Sequence, residues 1–254
     1  MHAIYASGVD PENPLSVLEI GDVEPKPTPE EWVDVDVKAM SLNHHDVWAL
    51  RGQALRAEQA PMILGTDAAG IAPDGTPVVI HAVIGTPVRG DETLDPKRSL
   101  LSEVYPGTFA DKVRVPAGNL IALPEALSFE QAACLPTAYL TAYRMLATKS
   151  GTQPGDTVLI QGAGGGVSTA AVVLGKAMGL RVWVTSRDSE KGEWAQFLSQ
   201  VASAECWQMQ QSQRDSSSHP CPMNSLAQCA RDKEVGEVNT FVRVEIFAGE
   251  WVPH

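Results

Sequence analysis

The stretch from Pro154 to Asp188, PGDTVLIQGAGGGVSTAAVVLGKAMGLRVWVTSRD, constrains the fold more than any other part of the chain. Thr157 to Gln161 is a compact apolar run of strand length. A glycine cluster follows, then a helix of small residues to Met178, with Gly179 as its stop and a second strand from Arg181 to Thr185. This is a strand–turn–helix–strand unit, whose parallel strands need a right-handed crossover. In a dinucleotide site, glycines at Gly162, Gly164, Gly165 and Gly166, followed by Val167, let the chain turn tightly. They also bring backbone N–H groups and a helix N-terminus up to a pyrophosphate. The alternative is a plain flexible turn of some other α/β protein.

The end of the second strand bears on which dinucleotide. An NAD site places an acid there, on the ribose hydroxyls. Here Ser186 can donate to a 2′-phosphate and Arg187 can pair with it, which favours NADPH over NADH; Asp188 stands one position late. The competing reading of Arg187 is a solvated loop residue.

Before this unit the chain has a different texture. LSVLEIGDV and WVDVDVKAMSL alternate apolar and polar residues, and TPVVIHAVI and TFADKVRVP are further strand candidates. HDVWALRG reads as a short helix ending at Gly52. After Pro124, LSFEQAACLP and TAYLTAYRMLATKSG carry helical spacing, the second closing at Gly151. From about Glu193 the texture changes again. Residues 199 to 230 have no glycine and are crowded with Gln and Ser, and a short β-like segment, Val238 to Phe247, closes the chain.

Charge narrows the partners. With 19 basic against 31 acidic residues, the net charge of −12 speaks against nucleic acid or an anionic membrane. The N-terminal MHAIYASGVDPENP lacks a basic start and an apolar run, and no run approaches the ~20 apolar residues of a membrane span. Four cysteines, Cys134, Cys206, Cys221 and Cys229, have neither disulfide-scaffold nor zinc spacing. The expectation is a cytoplasmic protein.

SLNHHDVWALRG, PMILGTDAAG, GTFADKVRVP, LSFEQAACLPTAYLTAYRML and the glycine unit together carry a resemblance. Over residues 1 to about 192 the chain resembles the medium-chain dehydrogenase/reductase superfamily, in particular its zinc-independent quinone oxidoreductase-like branch. The resemblance implies a GroES-like β-rich catalytic domain beside a Rossmann domain, with the active site in the cleft between them. Zinc members hold their metal through a Cys and a His; here those positions carry Asn43 and Thr66. No cysteine precedes Cys134, so the structural zinc cysteines are missing too. His44 and His45 are expected as one exposed and one packed histidine rather than as ligands. No metal is expected. By resemblance, Asn43, Asp46 and Thr66 line the nicotinamide end, Thr137 lies near the cofactor, and Trp48 stands where relatives often carry tyrosine. The competing reading is local turn hydrogen bonding, favoured for Asp46.

The expected architecture is α/β plus β-rich. A GroES-like domain spans 1–124, a partial Rossmann unit 125–192, and a divergent, irregular tail 193–254. A frameshift or early stop near residue 192 would explain the tail, whose residues 199–235 should not continue the parallel sheet. Relatives are often homodimers through the cofactor domain's edge strand, which this reading leaves missing. The expected activity is NADPH-dependent reduction of quinones or other small conjugated carbonyls by hydride transfer. The alternatives are a non-catalytic, truncated interaction module and a zinc-type alcohol dehydrogenase.

Overall fold

A computed structural model describes residues 1–186, 190–193, 206–208 and 240–242. The chain divides into two compact units, Met1–Thr137 and a second that begins at Ala138.

The first unit is built from strands too short to stand alone. A three-stranded antiparallel sheet has β1 (His2–Ala6) between β2 (Leu18–Asp22) and β4 (Met62–Ile63). The main sheet uses β3 (Val33–Ser41), β5 (Asp67–Ile71), β6 (Pro77–Ile80), β9 (Lys112–Val115) and β10 (Leu120–Ala122) in the order β10-β6-β5-β3-β9. Between β6 and β9 the chain makes an excursion through a two-stranded pair, β7 (Val83–Ile84) and β8 (Ser99–Leu100). The predicted alternation in WVDVDVKAMSL holds for β3: Val35 points into a core with Val78, Ile80, Val113 and Val115. The sheet bends where β3 shifts register against β5 between Val37 and Ala39. Gly70 lies opposite this irregularity, where an added Cβ would sit 2.2 Å from the Asp36 carbonyl oxygen.

The helix read from HDVWALRG is α1, His44–Leu50, and Gly52 follows it at φ +78°. Its Ala49 and Leu50 pack with Leu55, Met62, Leu64 and Phe109. The division between units falls beyond the texture change at Pro124. The reason is α2 (Phe129–Ala133), whose Ala132 and Ala133 pack on Ala69 and Val79 of the first unit's sheet. Ser128 caps α2, its hydroxyl accepting from the Gln131 N–H while the Gln131 side chain accepts from the Ser128 N–H.

The second unit opens with a helical stretch in which α3 (Leu140–Tyr143) is flanked by wider π-type turns, Leu135–Tyr139 (shared across the division) and Arg144–Lys149. Then come β11 (Thr157–Gln161), α4 (Gly166–Ala177) and β12 (Arg181–Ser186), with β11 and β12 parallel from Thr157↔Arg181 to Gln161↔Thr185. The small residues of α4 permit close packing: a Cβ on Gly175 would lie 3.0 Å from Val182. Ala170, Ala171 and Val172 cover Val158, Ile160, Val182 and Val184.

One expectation about the tail needs correction. Residues 199–235 do contribute to the sheet, through β13 (Cys206–Gln208), which pairs parallel with β12 from Val184↔Cys206 to Ser186↔Gln208. Farther on, β14 (Thr240–Val242) pairs parallel with β11, within the segment read as β-like. The described sheet therefore runs β13-β12-β11-β14. The physical reason is that β11 and β12 alone would leave two rows of backbone donors and acceptors unpaired, and even a three-residue extended segment satisfies part of such an edge. The rest of the tail beyond Glu193 lies outside the described residues, and so does Arg187. Among the described residues no helix is long and apolar enough to cross a membrane.

Candidate active site

In the first unit, three of the residues singled out from sequence, Asn43, Thr66 and Thr137, meet around one residue that was not. Asp67, the first residue of β5, is fully buried. Its carboxylate accepts from Ser41 Oγ at 3.1 Å, from the Thr137 backbone N–H at 3.2 Å, and from the Thr137 hydroxyl. Thr66 Oγ1 lies 3.1 Å from Thr137 Oγ1 and 3.3 Å from Asp67 Oδ1. Asn43 Nδ2 donates to Thr66 Oγ1 at 3.2 Å.

A carboxylate only accepts, and this fixes the direction of the whole set. Thr137 spends its hydroxyl hydrogen on Asp67, so the Thr66 hydroxyl can donate only to Thr137 Oγ1 or directly to Asp67 Oδ1, and in either case Thr66 Oγ1 accepts from Asn43. The result is a chain of donors from Asn43 through Thr66 and Thr137 that ends on Asp67. It sets the amide of the half-buried Asn43 with one N–H committed inward, which leaves a second N–H on the same nitrogen. Such an amide can donate to an oxygen on which charge develops.

The backbone places these groups. Asn43 is extended (φ −129°, ψ 157°) at the N-cap of α1, and its N–H donates to Asp46 Oδ2 at 2.7 Å. Gly65 has φ +93°, and an added Cβ would lie 2.3 Å from the Phe109 ring, so only glycine suits this turn. Thr108 Oγ1 donates to the Asp67 carbonyl at 3.0 Å, and the Thr108 N–H to Gly65 at 3.0 Å.

Asp46 is buried, and burial is the main reason its carboxyl is held above the ordinary carboxylate range. The Asn43 N–H and nearby His45 act against this, nearby Asp67 adds to it, and the Gly65 N–H opposes it weakly. Oδ1 nevertheless has no donor at hydrogen-bonding geometry. A carboxyl raised on folding contributes stability that is present below its unfolded value, about 4, and lost as pH rises through the folded value. The stability difference between the natural chain and Asp46→Asn should therefore fall between pH 4 and pH 7. Urea unfolding at both pH values measures it; a flat difference would contradict the burial argument.

Asn43 and Thr66 are bonded to each other, and among the described residues no three His, Cys, Asp or Glu side chains are placed to hold a metal. His44 is exposed, with its ring edge-on to Trp48 at 5.9 Å, while His45 is packed and bonds Glu103.

In the second unit the glycine turn adopts the conformations it was read for. Gly162 and Gly164 have φ +87° and +89°, and Gly165 caps α4. Thr185 pins the turn from β12, its hydroxyl accepting from Gly162 N–H at 3.0 Å and its carbonyl from Ala163 N–H at 2.9 Å. A Cβ on Gly162 would meet nothing within 4 Å, so the turn faces open space. That is the cradle a pyrophosphate needs, and the residues fit the group. Val167 is half-buried in the first turn of α4, and Ser186 is buried at the end of β12. Lys191, not read from the sequence, lays its aliphatic chain 3.0 Å from where a Cβ on Gly164 would be.

Residues 29–125 match the alcohol dehydrogenase GroES-like domain. Among curated proteins, the chain is 31% identical over 193 residues to a highly reducing polyketide synthase of Arthrinium phaeospermum, covering 75% of this chain and 7% of that one. It is 32% identical over 163 residues to a lovastatin diketide synthase of Monascus pilosus, covering 64% and 6%. The chain thus spans less than a tenth of the length of these relatives. Among solved structures it resembles an NAD-dependent alcohol dehydrogenase at TM-score 0.70 and 35% identity, covering 78% of this chain and 61% of the other. It also resembles the quinone oxidoreductase of Thermus thermophilus, solved with NADPH, at TM-score 0.61 and 30% identity, covering 81% and 59%. These neighbours are medium-chain dehydrogenases/reductases, a class of oxidoreductases.

Proposed function

We propose that this chain, whose first unit is an alcohol dehydrogenase GroES-like domain, acts in the NADPH-linked reduction of a carbon–carbon double bond conjugated to a carbonyl, or of a quinone. The observation that carries the reading is the Asn43–Thr66–Thr137–Asp67 chain, a set of neutral donors ending on a buried carboxylate at the position where a metal site would stand. A conjugated acceptor spreads incoming charge over its π-system, so an oriented amide donor at its oxygen is an adequate substitute for a Lewis acid. Bound NADPH would supply the hydride.

The protein's own residues do the rest. With the Gly162 and Ala163 N–H groups held by Thr185, the N–H groups from Gly164 to Gly166 and the start of α4 hold a pyrophosphate. The stem of Lys191 lies along the same turn, while the 2′-phosphate that distinguishes NADPH from NADH is read for Ser186 at the end of β12 and for Arg187, which lies outside the described residues. Asn43 donates to the substrate oxygen, and Thr66 and Thr137 keep its amide from rotating. The relatives fit this reading: one solved neighbour is a quinone oxidoreductase with NADPH, and one curated relative is called highly reducing.

Titration with NADPH, followed through tryptophan emission, tests it, because Trp183 is in β12 beside the strand position that pins the turn. Saturable quenching is expected, with Arg187→Ala weakening NADPH about tenfold, the size of one lost charged contact, and NADH much less. Equal loss for both would remove the 2′-phosphate reading. Elemental analysis returning one tightly held zinc per chain would instead favour metal-assisted alcohol oxidation.

A further inference from the structure

The excursion from Val83 to Tyr105 is pinned to the first unit by two histidine–carboxylate pairs of the same chemistry. Near its start His81 Nε2 meets Glu92 Oε1 at 2.9 Å; near its end His45 Nε2 meets Glu103 Oε1 at 3.1 Å. Their surroundings differ. His81 stands where Asn119 bonds the His81 and Val83 carbonyls. His45 lies on α1 between Asn43 and Asp46, and Glu103 lies just before Gly107–Phe109.

That second location ties two pieces of the site together. The Gly107 N–H donates to Ile63 at 2.8 Å, Thr108 to Gly65 at 3.0 Å, and Phe109 to Leu64 at 2.8 Å, so this segment backs the turn that carries Thr66 and Asp67. Glu103 is itself fixed: its carbonyl accepts from Gln59 Nε2 at 2.8 Å, and the pair's side chains are only 12% (His45) and 29% (Glu103) exposed. The preceding residue, Ser102, sits at φ +73° with its hydroxyl buried and unpartnered, a conformation held against local preference.

We propose that His45 is a positioning residue: by donating from Nε2 to Glu103 it clamps the first turn of α1 to the segment 103–109, and so holds the Asn43 amide in register with Thr66 and Asp67. The carboxylate can only accept, so the hydrogen in this bond is on Nε2. The functional part of the inference rests on the reading of Asn43 as the donor to substrate.

The test uses the full chain with His45→Ala, His45→Gln and His81→Ala, read first by amide hydrogen exchange. In His45→Ala, the amides of Gly107, Thr108 and Phe109 should exchange at least tenfold faster. In His81→Ala, loss of protection should be confined to residues around 86–95. Glutamine keeps an N–H that can reach Glu103, so His45→Gln should restore protection at 107–109. In reductase assays with NADPH and an enone, His45→Ala should lower kcat several-fold with KM for NADPH unchanged, and His45→Gln should recover it. Unchanged exchange at 107–109 in His45→Ala, or the same loss there in His81→Ala, would overturn the proposal. If exchange follows the expected pattern while no chain reduces the enone, the clamp stands and the reaction proposed above falls.

Discussion

Gly107→Ala should leave little folded protein. An added Cβ would lie 2.3 Å from the Leu64 carbonyl oxygen and 2.4 Å from that of Gly65. Both are backbone atoms, so no side chain can swing away; the segment itself must move by about an ångström to reach ordinary contact. Moving it breaks the bonds from Gly107, Thr108 and Phe109 to Ile63, Gly65 and Leu64. At about 1 kcal/mol for each bond, plus about 1–3 kcal/mol for overpacking, the loss is roughly 4–6 kcal/mol. Domains of this size have about 5–15 kcal/mol in total, so the loss is a large part of it. The soluble yield and the urea midpoint measure it. Gly118→Ala is the matched control, because a Cβ there meets nothing within 4 Å and the backbone needs no positive φ. Its midpoint should stay within about 0.5 kcal/mol of the natural chain. A Gly107→Ala chain that unfolds like Gly118→Ala would mean that the close approach of 107 to 64–65 is not a feature of the folded protein.

The same close approach shows what the sequence could and could not disclose. The glycine turn was legible because its signal is local: a strand, glycines at positive φ and a helix of small residues follow one another without interruption. The strand β3 was legible because one face is buried and the other wet, which alternation reports directly. By contrast β5, Asp-Ala-Ala-Gly-Ile, shows no alternation, because both of its faces are covered and the residues are small. Its pairing with β3 and β6 is non-local and leaves no trace in the window itself. The clash that demands Gly107 is likewise set by Leu64 and Gly65, more than forty positions away in the chain.

The site divides in the same way. Asn43, Thr66 and Thr137 were found through their motifs, and the structure joins them. Asp67, on which they all depend, was passed over although it adjoins Thr66. A signal was available, since one acid in the apolar and small run Met62–Ile71 has to be paired or hydrogen-bonded if that run is buried. Lys191 was missed because nothing in the sequence says that its stem lies along Gly164. The strand β13 was missed because Cys-Trp-Gln in a Gln-rich setting has no period to detect; what recruits it is the open edge of β12.

Asp67→Ala should cost both stability and activity, for one reason. It deletes the acceptor to which Ser41, the Thr137 amide and the Thr137 hydroxyl all donate. The two hydroxyls can rotate, but the Thr137 N–H cannot, and an unsatisfied buried donor costs about 1–3 kcal/mol. With the cavity left by the carboxyl, the total loss should be about 3 kcal/mol, readable as a lower urea midpoint. The effect on chemistry should be larger. Without the carboxylate, nothing holds the hydroxyl hydrogens of Thr66 and Thr137 inward, and the Asn43 amide is free to turn its carbonyl toward the substrate oxygen. A misplaced oxyanion donor costs about 100-fold in kcat or more. NADPH affinity should change little, because the glycine turn is built from β11, α4 and Thr185 without any part of this chain of donors. Asp67→Asn separates the two effects. It nearly preserves volume, but its amide turns an N–H toward hydroxyls that already donate, so activity should stay low while part of the stability returns. Reduction of an enone at full rate by Asp67→Asn would show that the direction of the chain is not set by a carboxylate, and the role given to Asn43 would go with it.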